Sequence, residues 1–163
     1  MRNSSFCIIL FLASICWELP VKAAERFIAN DAVGFKWIQK EKSYPILIDS
    51  EEHKGVLRAI TNLQTDAHAV TGVTPKITNS ITDKQLLIIG SIDRSSWIKQ
   101  LMSSGKIPAD ELKGKHEKYI LCTIKQPFEG VEEAVVIAGS DKRGTIYGIY
   151  ELSSQIGVSP WYY

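Results

Sequence analysis

The sequence has almost no excess of charge of either sign. Its 163 residues include 19 Lys and Arg against 18 Asp and Glu, which leaves a formal net charge of +1. This balance gives no electrostatic reason to expect a nucleic acid or an anionic membrane as a partner. Apolar residues make up 45% of the chain and charged residues 23%, as in a globular protein rather than a disordered or fibrous one. The length suits one domain and is short for an enzyme barrel, which needs about 200 residues or more.

Motifs that carry known catalytic chemistry are also missing. The sequence contains no H-E-x-x-H, no paired C-x-x-C and no G-x-S-x-G. His53, His68 and His116 are scattered, and none has a second ligand at metal spacing. Residues 139–145 (GSDKRGT) stand where a phosphate loop would, but their charges precede the second Gly instead of following it. We therefore expect no nucleotide site, no metal site and no cofactor.

No apolar run is long enough to cross a membrane as a helix. The longest, residues 6–16 (FCIILFLASIC), has 11 residues, whereas a membrane span needs about 20. It follows Arg2 and precedes residues 21–23 (VKA), which offer small side chains at the two positions that a signal peptidase reads. This pattern predicts a signal peptide over residues 1–23, cleaved after Ala23, and therefore a periplasmic or extracellular protein.

Cysteine is too scarce to form a disulfide framework. Removal of residues 1–23 would delete Cys7 and Cys16 and leave Cys122 alone, so stability must come from an apolar core. Because Cys122 lies in a strand-like run without a neighbouring His or cation, we expect an inert, buried thiol. A lipid-modified Cys16 is an alternative to cleavage after residue 23, although Ile15 stands where a small residue is preferred.

Hydrophobic patterning predicts an α/β domain over residues 24–158, in which helices pack on a mixed β-sheet. The run 85–90 (QLLIIG) is apolar throughout, as expected of a strand covered on both faces. The turn-forming residues 126–130 (QPFEG) predict that the last two strands form a hairpin. The predicted strands are 32–38, 44–48, 75–78, 85–90, 119–124 and 134–138, and the predicted helices are 51–70, 95–104 and 141–155.

The last predicted helix carries two glycines on one side. Gly144 and Gly148 lie one turn apart, roughly opposite an apolar stripe that contains Ile146, Ile149 and Leu152. Each mid-helix Gly costs about 0.5–1 kcal/mol relative to Ala. Two of them on one side indicate that another body approaches the backbone closely there. That body is either another domain or another part of this domain, and the pattern does not decide between them.

Residues 136–153 (VIAGSDKRGTIYGIYELS) and 156–161 (IGVSPW) resemble the end of the N-terminal domain of glycoside hydrolase family 115, the xylan α-glucuronidases. The runs 44–48 (YPILI) and 86–90 (LLIIG) agree with the family more loosely. A shorter R-G-x-x-Y-G pattern, here residues 143–148, also occurs in the N-terminal domains of β-hexosaminidases and family 67 α-glucuronidases. The chain thus resembles the N-terminal accessory domain of glycosidases of these types.

The resemblance implies that the enzyme has two domains with different roles. In that family the α/β domain precedes a catalytic (β/α)8 barrel, and the barrel supplies the catalytic carboxylates. The resemblance therefore implies no catalytic residue in this chain, and a partner barrel normally in the same chain, through which a xylan-type polysaccharide is bound. Residues 159–163 (SPWYY) would begin the segment that leads into the barrel, so we expect a fragment truncated before it.

Two groups of residues gain possible roles from this resemblance. Gly144, Gly148 and Trp161 would dock the barrel, whereas Lys142 and Arg143 could face its acidic substrate, since a guanidinium binds a carboxylate bidentately. A solvated or structurally paired Arg143 is the alternative. The competing function is a free-standing secreted module that binds a carbohydrate or a protein through the aromatic side chains of residues 161–163.

Overall fold

A computed structural model describes residues 35–39 and 41–158 of the chain. Strands and helices alternate through this part, as the hydrophobic pattern predicts. The elements are β1 (Ile38–Gln39), β2 (Lys42–Ser43), β3 (Ile46–Leu47), α1 (Lys54–Thr71), β4 (Ile77–Thr78), β5 (Gln85–Ser91), α2 (Ser96–Ser103), a short 3-10 helix (Ala109–Glu111), β6 (Tyr119–Lys125), β7 (Glu133–Gly139) and α3 (Lys142–Gln155).

Five of the strands form one mixed sheet in the order β4-β3-β5-β7-β6. β4, β3, β5 and β7 run parallel to their neighbours, whereas β6 pairs antiparallel with β7 along its whole length. The predicted α/β class, the mixed sheet and the hairpin of the last two strands are confirmed. β1 and β2 form a separate antiparallel hairpin ahead of the sheet. Among the described residues of the predicted strand 32–38, only Ile38 is in a strand, and residues 32–34 lie outside the described part of the chain.

Helices cover the sheet on both faces. Along β5, Leu87 and Ile89 point into the core shared with α1 and α3, whereas Leu86 and Ile88 point into the core shared with α2. All four side chains are buried, and each stabilises the fold by about 1.5–3 kcal/mol through removal of apolar surface from water. The prediction that this strand is covered on both faces is confirmed. Cys122 is a half-buried free thiol, and burial raises its pKa, as an inert thiol requires.

Three helix ends are capped by residue types that are typical of such positions. The Ser95 hydroxyl accepts the N–H of Ile98 at 3.3 Å at the start of α2, and the Asp141 carboxylate accepts the N–H of Gly144 at 2.8 Å at the start of α3. Gly72 ends α1 in a left-handed conformation, with φ of 74°.

The start of α1 differs from the prediction, which placed it at residue 51. The helix begins at Lys54. The reason lies in two carboxylates, since Asp49 bonds to the first turn of α2 and Glu52 bonds to the end of β5. Both side chains hold the chain against the edge of the sheet, and it makes one more turn before the helix starts.

Among the described residues, no helix is both long enough and apolar enough to cross a membrane. The predicted signal peptide (residues 1–23) and the aromatic segment 159–163 lie outside the described residues, so both stay predictions. The same holds for the proposed role of Trp161.

Candidate functional site at the carboxyl edge of the sheet

The parallel strands β3, β5 and β7 all end at one edge of the sheet, and β6 begins there. In open α/β sheets, ligands bind outside the carboxyl ends of strands, at the point where the chain switches from building one side of the sheet to building the other. That point lies here between β3 and β5, because β3 continues through α1 to β4 on one side and β5 continues through α2 towards β7 on the other. Polar residues follow each strand end at this edge.

Glu52 is the most buried charged residue of this edge, with only 4% of its surface exposed. Its Oε2 accepts the backbone N–H of Ser91 at 2.8 Å, and its Oε1 accepts the Ser91 hydroxyl at 2.7 Å and the N–H of His53 at 2.9 Å. These bonds join the segment after β3 to the end of β5. The carboxylate thus stabilises the loop geometry and offers no open face to a ligand.

Two further carboxylates of the same edge also bond within the fold. Asp49 accepts the hydroxyl of Ser96 at 2.6 Å and its N–H at 3.1 Å, and these bonds, with one from the N–H of Glu51, lower the pKa of Asp49. Asp93 lies 2.8 Å from Nε2 of His53. Partial burial pushes the pKa of Asp93 upward, but polar interactions with Ser91 and His53 outweigh it, and the net shift is downward.

A second polar group surrounds the first turn of α3. Asp141 accepts the N–H of Glu117 at 2.8 Å in addition to its cap bond. Partial burial would raise the pKa of Asp141, but the backbone N–H groups of Glu117, Gly144 and Arg143 lower it overall. Arg143 pairs with Glu117 at 2.7 Å between Nη1 and Oε1, and its Nη2 donates to the Tyr147 hydroxyl at 3.0 Å. This ion pair is exposed, so it contributes little stability.

Of the predicted substrate-proximal residues, the structure gives Arg143 a structural partner and leaves Lys142 exposed without a hydrogen-bond partner among the described residues. The ion pair of Arg143 agrees with the alternative of a structurally paired guanidinium. Contact of either side chain with substrate stays a prediction.

The docking role predicted for Gly144 and Gly148 is wrong, because both residues are buried inside this domain. A Cβ on Gly144 would overlap the carbonyl oxygen of Lys118 and lie 2.9 Å from its carbonyl carbon. A Cβ on Gly148 would lie 2.6 Å from Cγ2 of Ile137 and 3.0 Å from Cδ2 of Tyr119. The glycines therefore let α3 approach the start of β6 and the middle of β7, and the close body is the chain's own sheet.

Residues 32–152 match the family described as the glycosyl hydrolase family 67 N-terminus. The chain belongs to this family. A solved structure, that of a family GH115 4-O-methyl-α-glucuronidase with specificity for decorated arabinogalactans, is similar at 31% identity and a TM-score of 0.57. The similarity covers 74% of this chain and 14% of that enzyme, so the chain spans a small part of its relative's length. A search of curated proteins found no match.

Both comparisons confirm the resemblance to the N-terminal domain of α-glucuronidase-type glycoside hydrolases. Within this family 67 N-terminal domain, the R-G-x-x-Y-G pattern of residues 143–148 has two physical parts. Its glycines pack on β6 and β7, whereas Arg143 and Tyr147 form an exposed cluster with Glu117. The sequence analysis found the pattern but assigned the glycines to the wrong neighbour.

The carboxylate network of Asp49 and Glu52 was missed at the level of sequence. The available signal was the run of polar residues directly after each predicted strand, 49–52 (DSEE) and 91–96 (SIDRSS). Parallel strands bring such runs together at one edge, but the order of the strands is needed to know which runs meet.

A further concavity lies at the opposite, amino edge of the sheet, as an open groove of about 500 Å³. Its two lysines are engaged, since Lys84 pairs with Glu132 at 2.8 Å and Lys106 donates to the carbonyl oxygens of Gln126 and Pro127. The lining residues are Lys84, Lys106, Gln126, Phe128, Glu129, Gly130, Val131 and Glu132.

Three carboxylates at the carboxyl edge have pKa shifts opposite to the shift that a general acid of glycoside hydrolysis needs. That reaction uses two carboxyl groups across the scissile bond, one of which has a raised pKa and acts as general acid. The pKa values of Asp49, Asp93 and Asp141 are lowered instead, which favours permanent ionisation. No group of three or more His, Cys, Asp or Glu side chains that could hold a metal ion is found within the described part of the chain.

Proposed function

We propose that this family 67 N-terminal domain is the non-catalytic part of a secreted glycoside hydrolase that removes glucuronic or 4-O-methylglucuronic acid from xylan-type polysaccharide. A catalytic (β/α)8 barrel of the same enzyme supplies the chemistry. The family match and the similarity to a GH115 4-O-methyl-α-glucuronidase support the enzyme class. Secretion rests on the predicted signal peptide over residues 1–23.

The non-catalytic role is supported by the hydrogen bonds and the ion pair that the carboxylates of the carboxyl edge make within the domain. Glu52 and Asp49 join loops, Asp141 caps α3, and Glu117 pairs with Arg143. A general acid must instead hold a proton near neutral pH, which needs an apolar site or a nearby like charge. The lowered pKa values of Asp49 and Asp141 run in the opposite direction.

The test measures release of uronic acid by the exported chain alone, recovered from outside the cytoplasmic membrane with Ala24 at its N-terminus. Glucuronoxylan is the substrate, and a full-length family 115 enzyme is the positive control. We expect no release above a blank without enzyme. The matched control is Glu117→Gln, which removes the exposed carboxylate beside Arg143 and leaves the cap at Asp141 in place.

Release that scales with the wild-type chain and falls with Glu117→Gln would overturn the non-catalytic role. Equal release by both proteins that persists in proportion to the chain after a second purification step would also overturn the non-catalytic role, whereas release that this step removes comes from a co-purified hydrolase. An N-terminus ahead of residue 24 on protein from this compartment would contradict the predicted cleavage site.

A second candidate function is a free-standing secreted module that binds carbohydrate. Two exposed tyrosines of α3 favour it, since Tyr147 and Tyr150 expose 40% and 46% of their surfaces, and aromatic rings are common in sugar-binding surfaces. Against it, Arg143 covers the Tyr147 ring at 5.9 Å, and the Tyr150 hydroxyl is held by the Asn62 amide at 3.2 Å. Retention on immobilised xylan in the same assay would favour this module over the domain of a larger enzyme.

A further inference from the structure

The strand β6 forms one edge of the described sheet, in which β7 is its one neighbour. Two backbone hydrogen bonds show which residues of β6 bond to β7. The N–H of Ser140 donates to the carbonyl oxygen of Lys118 at 2.8 Å, and the N–H of Gln126 donates to the carbonyl oxygen of Glu132 at 2.8 Å. Hydrogen-bonded and non-hydrogen-bonded pairs alternate along an antiparallel ladder. The even-numbered residues of β6 therefore bond inward to β7, and the odd-numbered ones direct their backbone N–H and C=O groups outward.

The outward backbone groups of β6 have no partner among the described residues. They belong to the four odd-numbered positions, so a neighbouring strand could form a continuous ladder of hydrogen bonds with them. The outer edge is bounded at both ends by residues with positive φ, Glu117 at 55° and Gln126 at 49°, which turn the chain away. The four positions are Tyr119, Leu121, Thr123 and Lys125.

Proteins usually protect such an edge with a bulge, a proline or charged residues. The register of β6 with β7 runs without interruption from Tyr119 to Lys125, so no bulge is present in this described strand. Its sequence, YILCTIK, has no proline and a single charge at its last position. The other edge strand, β4, has two residues. β6 is thus the one long edge of the described sheet that could accept another strand.

We propose that β6 pairs antiparallel with β6 of a second copy of this chain, around a two-fold axis at Cys122. The two five-stranded sheets then join into one continuous sheet of ten strands. A two-fold interface requires a surface that is complementary to itself, and this register meets that requirement along the whole strand. Leu121 pairs with the partner's Thr123, and Tyr119 pairs with the partner's Lys125.

The register centred on Cys122 pairs the largest number of β6 residues. It pairs all seven residues of β6, whereas a centre at Ile120 would bring residue 117, with its positive φ, into the ladder and leave the end of the strand unpaired. The single charge, Lys125, then faces a tyrosine and not a like charge, which would be destabilising directly across a ladder. Pairing of the two β6 strands in this register therefore places no like charges opposite each other.

Cys122 gives this arrangement a direct chemical readout. It occupies a non-hydrogen-bonded position on the outer edge, so the two Cys122 residues face each other across the axis. Their Cα atoms would be about 4.5 Å apart, and disulfides span Cα separations of about 4.4–6.8 Å. Because burial raises the pKa of the Cys122 thiol, oxidation is best carried out at alkaline pH.

The cross-linking test uses the full chain with Cys7→Ser and Cys16→Ser, so that Cys122 is its one thiol. Copper–phenanthroline with air is the oxidant. It removes one hydrogen from each of two thiols, and a disulfide-linked dimer forms that dithiothreitol reverses. The control adds Cys122→Ser and Leu121→Cys, which moves the thiol off the axis and to the other face of the strand. We expect a rapid dimer for Cys122 and little for the control.

A proline variant tests the ladder without oxidation. Thr123→Pro removes an outward N–H and keeps the inward bonds of β6 to β7, and proline is tolerated on edge strands. Because each dimer loses this bond twice, the dissociation constant from light scattering or sedimentation should rise about tenfold or more. The matched control, Thr123→Ala, keeps the N–H and should remain dimeric. Circular dichroism confirms that both variants are folded.

Three results would overturn the proposal. The first is a wild-type chain that stays monomeric at high concentration and does not cross-link through Cys122. The second is a folded Thr123→Pro variant that dimerises as tightly as Thr123→Ala. The third is a monomer in which the amides of Tyr119, Leu121 and Thr123 are protected from hydrogen exchange, because another segment of the same chain then covers the edge.

Discussion

Gly144→Ala tests whether the first turn of α3 packs on this domain or faces another one. Alanine is favoured over glycine inside a helix by about 1 kcal/mol, so a glycine facing solvent or another domain would yield a more stable variant. In the structure, a Cβ at this position overlaps the carbonyl oxygen of Lys118. That oxygen already accepts the N–H of Ser140 at 2.8 Å. The added methyl group must therefore displace backbone.

The size of the effect follows from three opposing contributions. Overpacking of a tight contact costs about 1–3 kcal/mol, and weakening of the Ser140 bond costs about 1 kcal/mol more. Because Gly144 is the third residue of α3, only part of the helix propensity of alanine applies, and it returns about 0.5 kcal/mol. The net loss is about 1.5–3.5 kcal/mol in the free energy of unfolding, which for a domain of this size lowers Tm by roughly 5–10 °C.

Gly55→Ala on α1 is the matched control. A Cβ there would stand 3.5 Å from Cδ1 of Ile146, an ordinary van der Waals contact. Because Gly55 is the second residue of the helix, part of the propensity gain applies, about 0.5 kcal/mol. Thermal and urea unfolding of both variants should move in opposite directions. If Gly144→Ala stabilises the chain as Gly55→Ala does, the close approach of α3 to Lys118 is wrong.

Two further predictions concern the carboxylates of the same edge. Glu52→Ala leaves the buried N–H and hydroxyl of Ser91 without acceptors, so unfolding measurements should show a loss of about 2 kcal/mol or more, while the exposed Glu51→Ala should change little. Asp141 has a lowered pKa in the folded state, so the stability it contributes is complete above the ordinary Asp pKa of about 3.9 and is lost as the pH falls through the lowered value. Urea unfolding of Asp141→Asn should therefore lose less stability than the wild type between neutral pH and acid, and a parallel loss in both proteins would contradict this linkage.

The sequence predicts those parts of the fold that local patterns determine. The apolar run of β5, the extent of α2 and the hairpin of β6 and β7 each follow from neighbouring residues. The start of α1 does not, because the bond that delays it joins Glu52 to Ser91, 39 residues away. Such a contact depends on β3 and β5 being neighbours, and the order of strands in the sheet is not a local property.

α3 shows the same limit on a single helix. A helical wheel divides the residues of α3 into an apolar stripe and a glycine side, and only the apolar stripe is predicted to lie in the core. The helix lies against both α1 and the sheet, so Ile149 and Leu152 join the core with α1 while Gly144 and Gly148 meet β6 and β7. A helix buried on two sides needs small residues where it meets backbone, and a hydrophobicity pattern marks those positions as polar or exposed.

The packing of α3 shows that the glycines of the R-G-x-x-Y-G pattern are used inside the domain, whereas its arginine and tyrosine stay exposed for contacts outside it. The glycines hold the first turn of α3 against Lys118 and Tyr119, and Asp141 fixes the same turn to Glu117. Arg143, with 62% of its side chain exposed, is thereby presented at the carboxyl edge from a rigid base. Any contact that this pattern makes beyond the domain must therefore go through Arg143 and its neighbour Tyr147, because the glycines are already used.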